Sequence, residues 1–194
     1  MKRSALVLLA GAWAAAACSP VSGVQLRSDY EAVDRTETVR LHVAVAPLPA
    51  EATPVAAMWA HMARDYTNHH RDFLVISGLA DAKVPAGICA GDMQGVLELT
   101  PSVRRADDEV ALVVIAHLKR CRDGQTIWRA QGAGQWPSKD EQLLEVRRRY
   151  EARFGPSIGP YVAPSWRLLR AVLAELPRPK LTRDEDVMAK IELD

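Results

Sequence analysis

The chain has 194 residues, of which 48% are hydrophobic and 25% are charged, and 25 basic against 24 acidic side chains leave a formal net charge of +1. This composition is typical of a globular protein and excludes a wholly disordered chain. The near-neutral charge offers no electrostatic support for nucleic-acid binding or for a polybasic membrane-docking surface, so we expect no nucleic-acid partner.

The first 17 residues have the pattern of a secretory signal peptide. Lys2 and Arg3 precede an uncharged, alanine-rich run over residues 4–17. This run is shorter than the roughly 20 residues that a membrane-spanning helix needs. We therefore predict removal on export, the alternative being a buried N-terminal helix. Loss of Lys2 and Arg3 would leave 23 bases against 24 acids, a formal charge of −1.

Cys18 stands directly after the predicted signal sequence. The segment Ala15-Ala16-Ala17-Cys18 resembles a bacterial lipobox, in which the cysteine sulfur takes a diacylglycerol, although Ala15 stands where leucine is usual. Ala15 and Ala17 also fit an ordinary signal peptidase site at the same bond. We predict that Cys18 is lipidated and that its acyl chains hold the protein on a bilayer.

A polar segment follows the predicted anchor. Residues 19–37 are rich in Ser, Asp, Glu and Arg and contain few apolar residues. They predict an extended tether, so we assign 18–38 to anchor and tether and 39–194 to a single domain. Ser19 after the cysteine resembles a sorting signal for the outer membrane. We expect the protein on the periplasmic face of that membrane.

The first elements of the domain follow from hydrophobic periodicity. Alternation predicts a strand over 39–46, and apolar residues at helical spacing predict a helix over about 54–70. A short apolar run at 73–76 predicts a buried strand. Proline and glycine interrupt residues 79–94, where we expect only a short helix around Cys89.

Three strands are expected in the middle of the chain. They cover 96–103, 110–121 and 126–136, and the second is the most strand-like because it is rich in Val, Leu and Ile. Asp123-Gly124 predicts a tight hairpin turn between the last two. Trp128 and Trp136 are an even number of residues apart, so they would lie on the same face of the sheet.

Helices are expected in the C-terminal part. A capping box at Ser138–Glu141 predicts a helix that ends at Gly155. The glycines and prolines of 155–164 predict a stiff connector, followed by a helix from Pro164 to just before Pro177. A second capping box predicts a short helix over about 182–191. The fold class is α+β: a mixed sheet of about five strands with a β-hairpin, helices packed on one face, and C-terminal helices.

Two cysteines remain besides Cys18. Cys89 and Cys121 would form a disulfide in an oxidising compartment, the alternative being two separate buried thiols. Neither belongs to a C-x-x-C motif, which argues against a thioredoxin-type redox enzyme.

Histidines supply the few candidates for chemistry. His61, Asp65 and His69 are four residues apart on the predicted first helix and could bind zinc or copper, the alternative being a solvated polar helix face. His42 and His117 fall in strands, either as ordinary sheet residues or as half of a catalytic pair. The sequence has no G-x-S-x-G, H-E-x-x-H or phosphate-loop motif, so we expect no cofactor.

Several segments resemble a known group of proteins, among them Ile88-Cys89-Ala90, Arg120-Cys121-Arg122-Asp123-Gly124, Trp128-Arg129-Ala130 and Leu176-Pro177-Arg178-Pro179. The chain resembles a small family of uncharacterised bacterial lipoproteins over nearly its whole length. The resemblance implies that Cys18 is the lipid anchor and that Cys89 and Cys121 belong to the family pattern. The order of elements is also similar to the periplasmic domain of curli-secretion lipoproteins and to the TolB amino-terminal domain, which bind envelope partners.

These observations predict a lipid-anchored envelope protein that works without catalysis, in assembly, secretion or partner binding. The expected partners are the membrane, through the lipid, and an envelope protein. A periplasmic hydrolase that uses a strand histidine is the alternative, and a carrier of metal or a small ligand is another.

Overall fold

The computed structural model describes residues 19–49, 52–80 and 87–193, and the α+β class predicted from the sequence is confirmed in them. The strands are β1 (Val21–Leu26), β2 (Arg40–Val45), β3 (Leu74–Ala80), β4 (Gly95–Ala106), β5 (Glu109–Arg120) and β6 (Thr126–Pro137). The α-helices are α1 (Tyr30–Glu37), α2 (Thr53–His70), α3 (Leu144–Phe154), α4 (Gly159–Leu173) and α5 (Asp184–Leu193).

The strands form one mixed sheet in the order β1-β6-β5-β4-β2-β3. Strand β2 is parallel to both β3 and β4, whereas the other neighbours are antiparallel. The predicted hairpin joins β5 to β6, and Gly124 adopts a positive φ of 70° in its turn. Only glycine adopts that conformation readily, which explains the Asp-Gly signal.

The prediction of an extended tether over 19–37 is wrong. Residues 21–26 form β1, which pairs with β6 from Val21 opposite Gly132 to Leu26 opposite Trp128. Helix α1 follows and buries Tyr30 and Asp34. Strand β1 supplies hydrogen-bond partners to the backbone groups at the free edge of β6. This stabilisation comes from pairing with β6 and not from apolar residues within the segment. The sheet therefore has six strands instead of about five.

Helices α2 and α4 pack on the same face of the sheet, as predicted. In β5 the buried, core-facing residues alternate with partly buried or exposed ones from Val110 to Leu118. Gly132 of β6 lies directly under α4, because a Cβ atom there would stand 2.4 Å from Val172 Cγ2. Gly78 of β3 plays the same part under α2, where a Cβ would be 2.9 Å from the Ala60 carbonyl oxygen.

Two local predictions need correction. The expected connector over 155–164 is helical from Gly159, with Pro164 inside α4. Burial of this turn on the core outweighs the hydrogen bond that proline cannot donate, since Pro164 itself is buried. The expected short helix around Cys89 is absent from the described residues 87–94, which form turns, whereas residues 81–86 lie outside the described part.

Candidate functional site

Cys89 and Cys121 are joined by a disulfide with a Cα–Cα distance of 5.3 Å. It ties the turns at 87–94 to the end of β5. The backbone N–H of Cys121 also donates to the Gln94 carbonyl at 2.8 Å. The side-chain Oε1 of Gln94 accepts from the backbone N–H groups of Val39 and Arg40 at 2.7 and 2.9 Å. The disulfide therefore holds a segment that completes the hydrogen bonding at the start of β2.

A buried ion pair lies beside this disulfide. Arg120 and Asp34 are 7% and 0% exposed, and the Arg120 Nη1 atom donates to Asp34 Oδ1 at 3.1 Å. The same guanidinium donates to both carboxylate oxygens of Asp123 at 2.7 Å. These hydrogen bonds lower the pKa of Asp123 to about 2 and raise the pKa of Arg120. The cluster fixes α1 to the hairpin end of the sheet.

The three candidate metal ligands lie along α2 but are not assembled into a site. His61 Nδ1 is 2.8 Å from Asp65 Oδ2, whereas His69 Nδ1 contacts the backbone oxygen of Asp65 at 2.7 Å. Within the described part of the chain, no group of three or more His, Cys, Asp and Glu residues could hold a metal ion. His61 also contacts the edges of Tyr150 and Phe154, which gives it a packing role.

His42 and His117 lie on the sheet face opposite α2 and α4. His42 pairs with Val96, and Glu98, two residues along the same strand, pairs with His117. The Nδ1 atom of His42 is within hydrogen-bond distance of Ser77 Oγ.

Both strand histidines have a lowered pKa. Burial lowers the pKa of His42, and burial together with Arg129 and Lys119 lowers the pKa of His117. Among the described residues no carboxylate forms an ion pair with His42. The His42–Ser77 contact therefore lacks the third group that orients the base in a catalytic triad.

A groove of about 450 Å³ opens where the chain enters the sheet. Pro20, just before β1, lines it together with Trp136 at the end of β6 and residues of α4 that include Trp166, Arg167 and Arg170. Both tryptophans are half-buried, although they are far apart in sequence. Only packing of α4 over β6 brings them together. Trp128 instead is buried in the core, whereas Trp136 lines the groove.

Helix α5 lies at the other edge of the sheet, against β3 and α2, and it is held through polar residues. Its Asp186 is 1% exposed and accepts from Arg40 Nε and Arg183 Nε, both at 2.7 Å. Lys190 donates to the carbonyl of Arg71 at 3.0 Å. Met188 and Ile191, by contrast, are 58% and 64% exposed. The usual arrangement of an amphipathic helix is thus reversed.

The sequence alone predicts the groove and the exposed side of α5 only in part. Val187, Met188 and Ile191 fall on one side of a helix and Asp186 and Lys190 on the other. The pattern does not tell which side is buried, because that depends on Arg40 of a distant strand.

No protein-family model matches the chain, and no curated protein matches it. Solved structures do. The PelC dodecamer from Paraburkholderia phytofirmans is 14% identical with a TM-score of 0.44, covering 80% of this chain and 96% of that one. Lipoprotein GNA1162 from Neisseria meningitidis is 16% identical with a TM-score of 0.36, covering 59% and 96%. The hypothetical protein CT253 from Chlamydia trachomatis is 13% identical with a TM-score of 0.41, covering 70% and 94%.

These likenesses are too distant to carry an argument about function. Separately, no helix in the described ranges is both long and apolar enough to cross a membrane. The predicted lipidation residue Cys18 lies outside the described residues.

Proposed function

We propose that the protein is a lipid-anchored envelope protein that acts without catalysis, by binding another envelope protein through α5. The observation that supports this proposal is the reversed helix. Its polar side chains Asp186 and Lys190 form hydrogen bonds with Arg40, Arg183 and the end of α2. Its apolar side chains therefore face solvent. An exposed apolar patch on a rigid support is typical of a protein-binding surface.

The position of α5 suits a protein whose other end is held on a membrane. The predicted anchor precedes β1, whereas α5 packs on β3 at the opposite edge of the sheet. Five strand spacings of about 4.8 Å separate these edges by about 24 Å. An anchor at Cys18 would therefore leave α5 accessible to a partner.

Charge placed on the α5 surface should strongly weaken partner binding without unfolding the protein. The variant carries Met188→Lys and Ile191→Lys, and lysine keeps helix propensity and suits the C-terminal end of a helix. We expect the crosslinked partner found by mass spectrometry with the wild-type protein to be reduced by about tenfold or more, since an apolar contact of about 1.4 kcal/mol corresponds to that factor. The melting temperature should stay within a few degrees, because both side chains are exposed.

The matched control is Val113→Lys, on the open face of the sheet, where Val113 is 37% exposed. We expect it to keep the partner. Loss of the partner in this variant but not in the α5 variant would move the binding surface to the sheet and contradict the proposal. Recovery of the wild-type protein alone, in repeated crosslinking, would contradict partner binding altogether.

Lipidation of Cys18 has a direct measurement. The intact mass of the mature protein should equal that of residues 18–194 plus the mass of the acyl groups. Acylation is expected because the cysteine stands at the predicted cleavage point. A mature protein that begins with an unmodified Cys18 would exclude the anchor.

A further inference from the structure

A lipid on Cys18 would bring the groove between β6 and α4 close to the bilayer. Pro20 lines the groove, and Cys18 is two residues before it. Two extended residues span at most about 7 Å, so the Cys18 anchor would lie beside the groove wherever the intervening residues turn. Because the chain between Cys18 and the groove is short, an anchored Cys18 would hold the groove next to the membrane surface.

The side chains of the groove fit the boundary between phospholipid headgroups and acyl chains. Trp136 and Trp166 are half-buried, and tryptophan is enriched at this depth because its ring is apolar and its indole N–H is polar. Leu144, at the start of α3 next to the groove residue Leu143, adds an apolar side chain that is 47% exposed.

The two arginines of the groove differ in their partners. Arg167 Nε donates to Asp140 Oδ2 at 2.8 Å, so its charge is compensated within the fold. Arg170 is exposed and forms no ion pair with any residue that the structure describes. Its guanidinium is free to bind a phosphate oxygen, a pairing that arginine makes with two parallel hydrogen bonds.

We propose that this groove seats on the phospholipid surface that carries the anchor, with Trp136 and Trp166 at headgroup depth and Arg170 on a lipid phosphate. The inference rests on the proposed lipid anchor. Anchoring makes the second contact intramolecular, so a groove too weak to bind vesicles by itself is sufficient. Seating fixes the orientation of the protein and directs the opposite edge of the sheet away from the membrane.

The test uses the lipidated protein reconstituted in vesicles of phosphatidylethanolamine and phosphatidylglycerol. Wild type is compared with the double variant Trp136→Phe and Trp166→Phe, with and without phospholipids brominated near the headgroup. Trp59 and Trp128 are 0% and 1% exposed and supply a background shared by both proteins. The difference in tryptophan emission between the two proteins measures the fluorescence of Trp136 and Trp166. We expect bromolipid to quench this difference by about half or more.

A second pair of variants tests the phosphate contact and does not require the tryptophan variant to fold. Arg170→Gln should reduce the bromolipid quenching by about twofold, because a charge-assisted hydrogen bond to phosphate is lost. Arg149→Gln is the matched control, since Arg149 is another exposed arginine without an ion pair among the described residues. It should leave the quenching unchanged.

The outcomes separate this inference from the proposed function. Protein that floats with the vesicles and carries acyl mass, but whose groove emission is not quenched, overturns the seating and leaves the anchor intact. Equal effects of Arg170→Gln and Arg149→Gln overturn the phosphate contact. Protein without acyl mass that does not float overturns both the anchor and the seating that depends on it.

Discussion

Replacing Asp34 with alanine is expected to lower the free energy of unfolding by about 1–3 kcal/mol, because it leaves the buried Nη1 group of Arg120 without its carboxylate acceptor. Asp123 would still compensate the charge of Arg120 through Nε and Nη2. Asp34 is fully buried and accepts from Arg120 Nη1 through both oxygens, at 3.1 and 3.4 Å. The carboxylate belongs to α1 and the guanidinium to β5, so the loss also loosens α1 from the sheet. Urea unfolding followed by circular dichroism measures the effect.

The control for this prediction is Glu31→Gln on the same helix. Glu31 pairs with Arg35 at the surface, 2.7 Å apart, and exposed pairs of this kind contribute little. We expect a change below about 0.5 kcal/mol. If Asp34→Ala proves as mild as Glu31→Gln, α1 is not part of the cooperative domain, and residues 21–37 behave as the tether that the sequence predicted.

Removal of the disulfide should be the second large effect. Changing both Cys89 and Cys121 to serine opens a loop with a sequence separation of 32 residues. The chain-entropy model then predicts a loss of about 3–4 kcal/mol, since the unfolded chain regains the freedom that the crosslink removed. Denaturant midpoints of the wild type and the double variant, measured without reductant, give the difference.

Wild-type protein in reductant provides the matched comparison, and it should unfold at nearly the same denaturant concentration as the double variant. Thiol titration of the denatured, unreduced protein should find neither cysteine reactive. Two reactive thiols per mature chain would show that the bond is not formed in the exported protein and would remove the basis of the stability prediction.

The sequence by itself was sufficient where local chemistry and burial agree. The β5–β6 hairpin is an example, because a β-branched strand runs into Asp123-Gly124, whose conformation favours the turn. Helix α2 is another, since apolar residues at helical spacing follow Pro54 near its first turn. The lipidation of Cys18 remains a prediction, whereas the described structure does not assemble His61, Asp65 and His69 into a metal site.

Other features were decided by tertiary structure. Strand β1 exists because β6 offers it an unpaired edge, and α4 extends back to Gly159 because its first turn is buried on the core. The orientation of α5 depends on Arg40, and the groove on the approach of α4 at Gly132. Sequence periodicity reports which residues share a face of an element. Which face is buried depends on the elements packed against it. In this protein that packing leaves both proposed binding surfaces, the apolar side of α5 and the groove between β6 and α4, exposed.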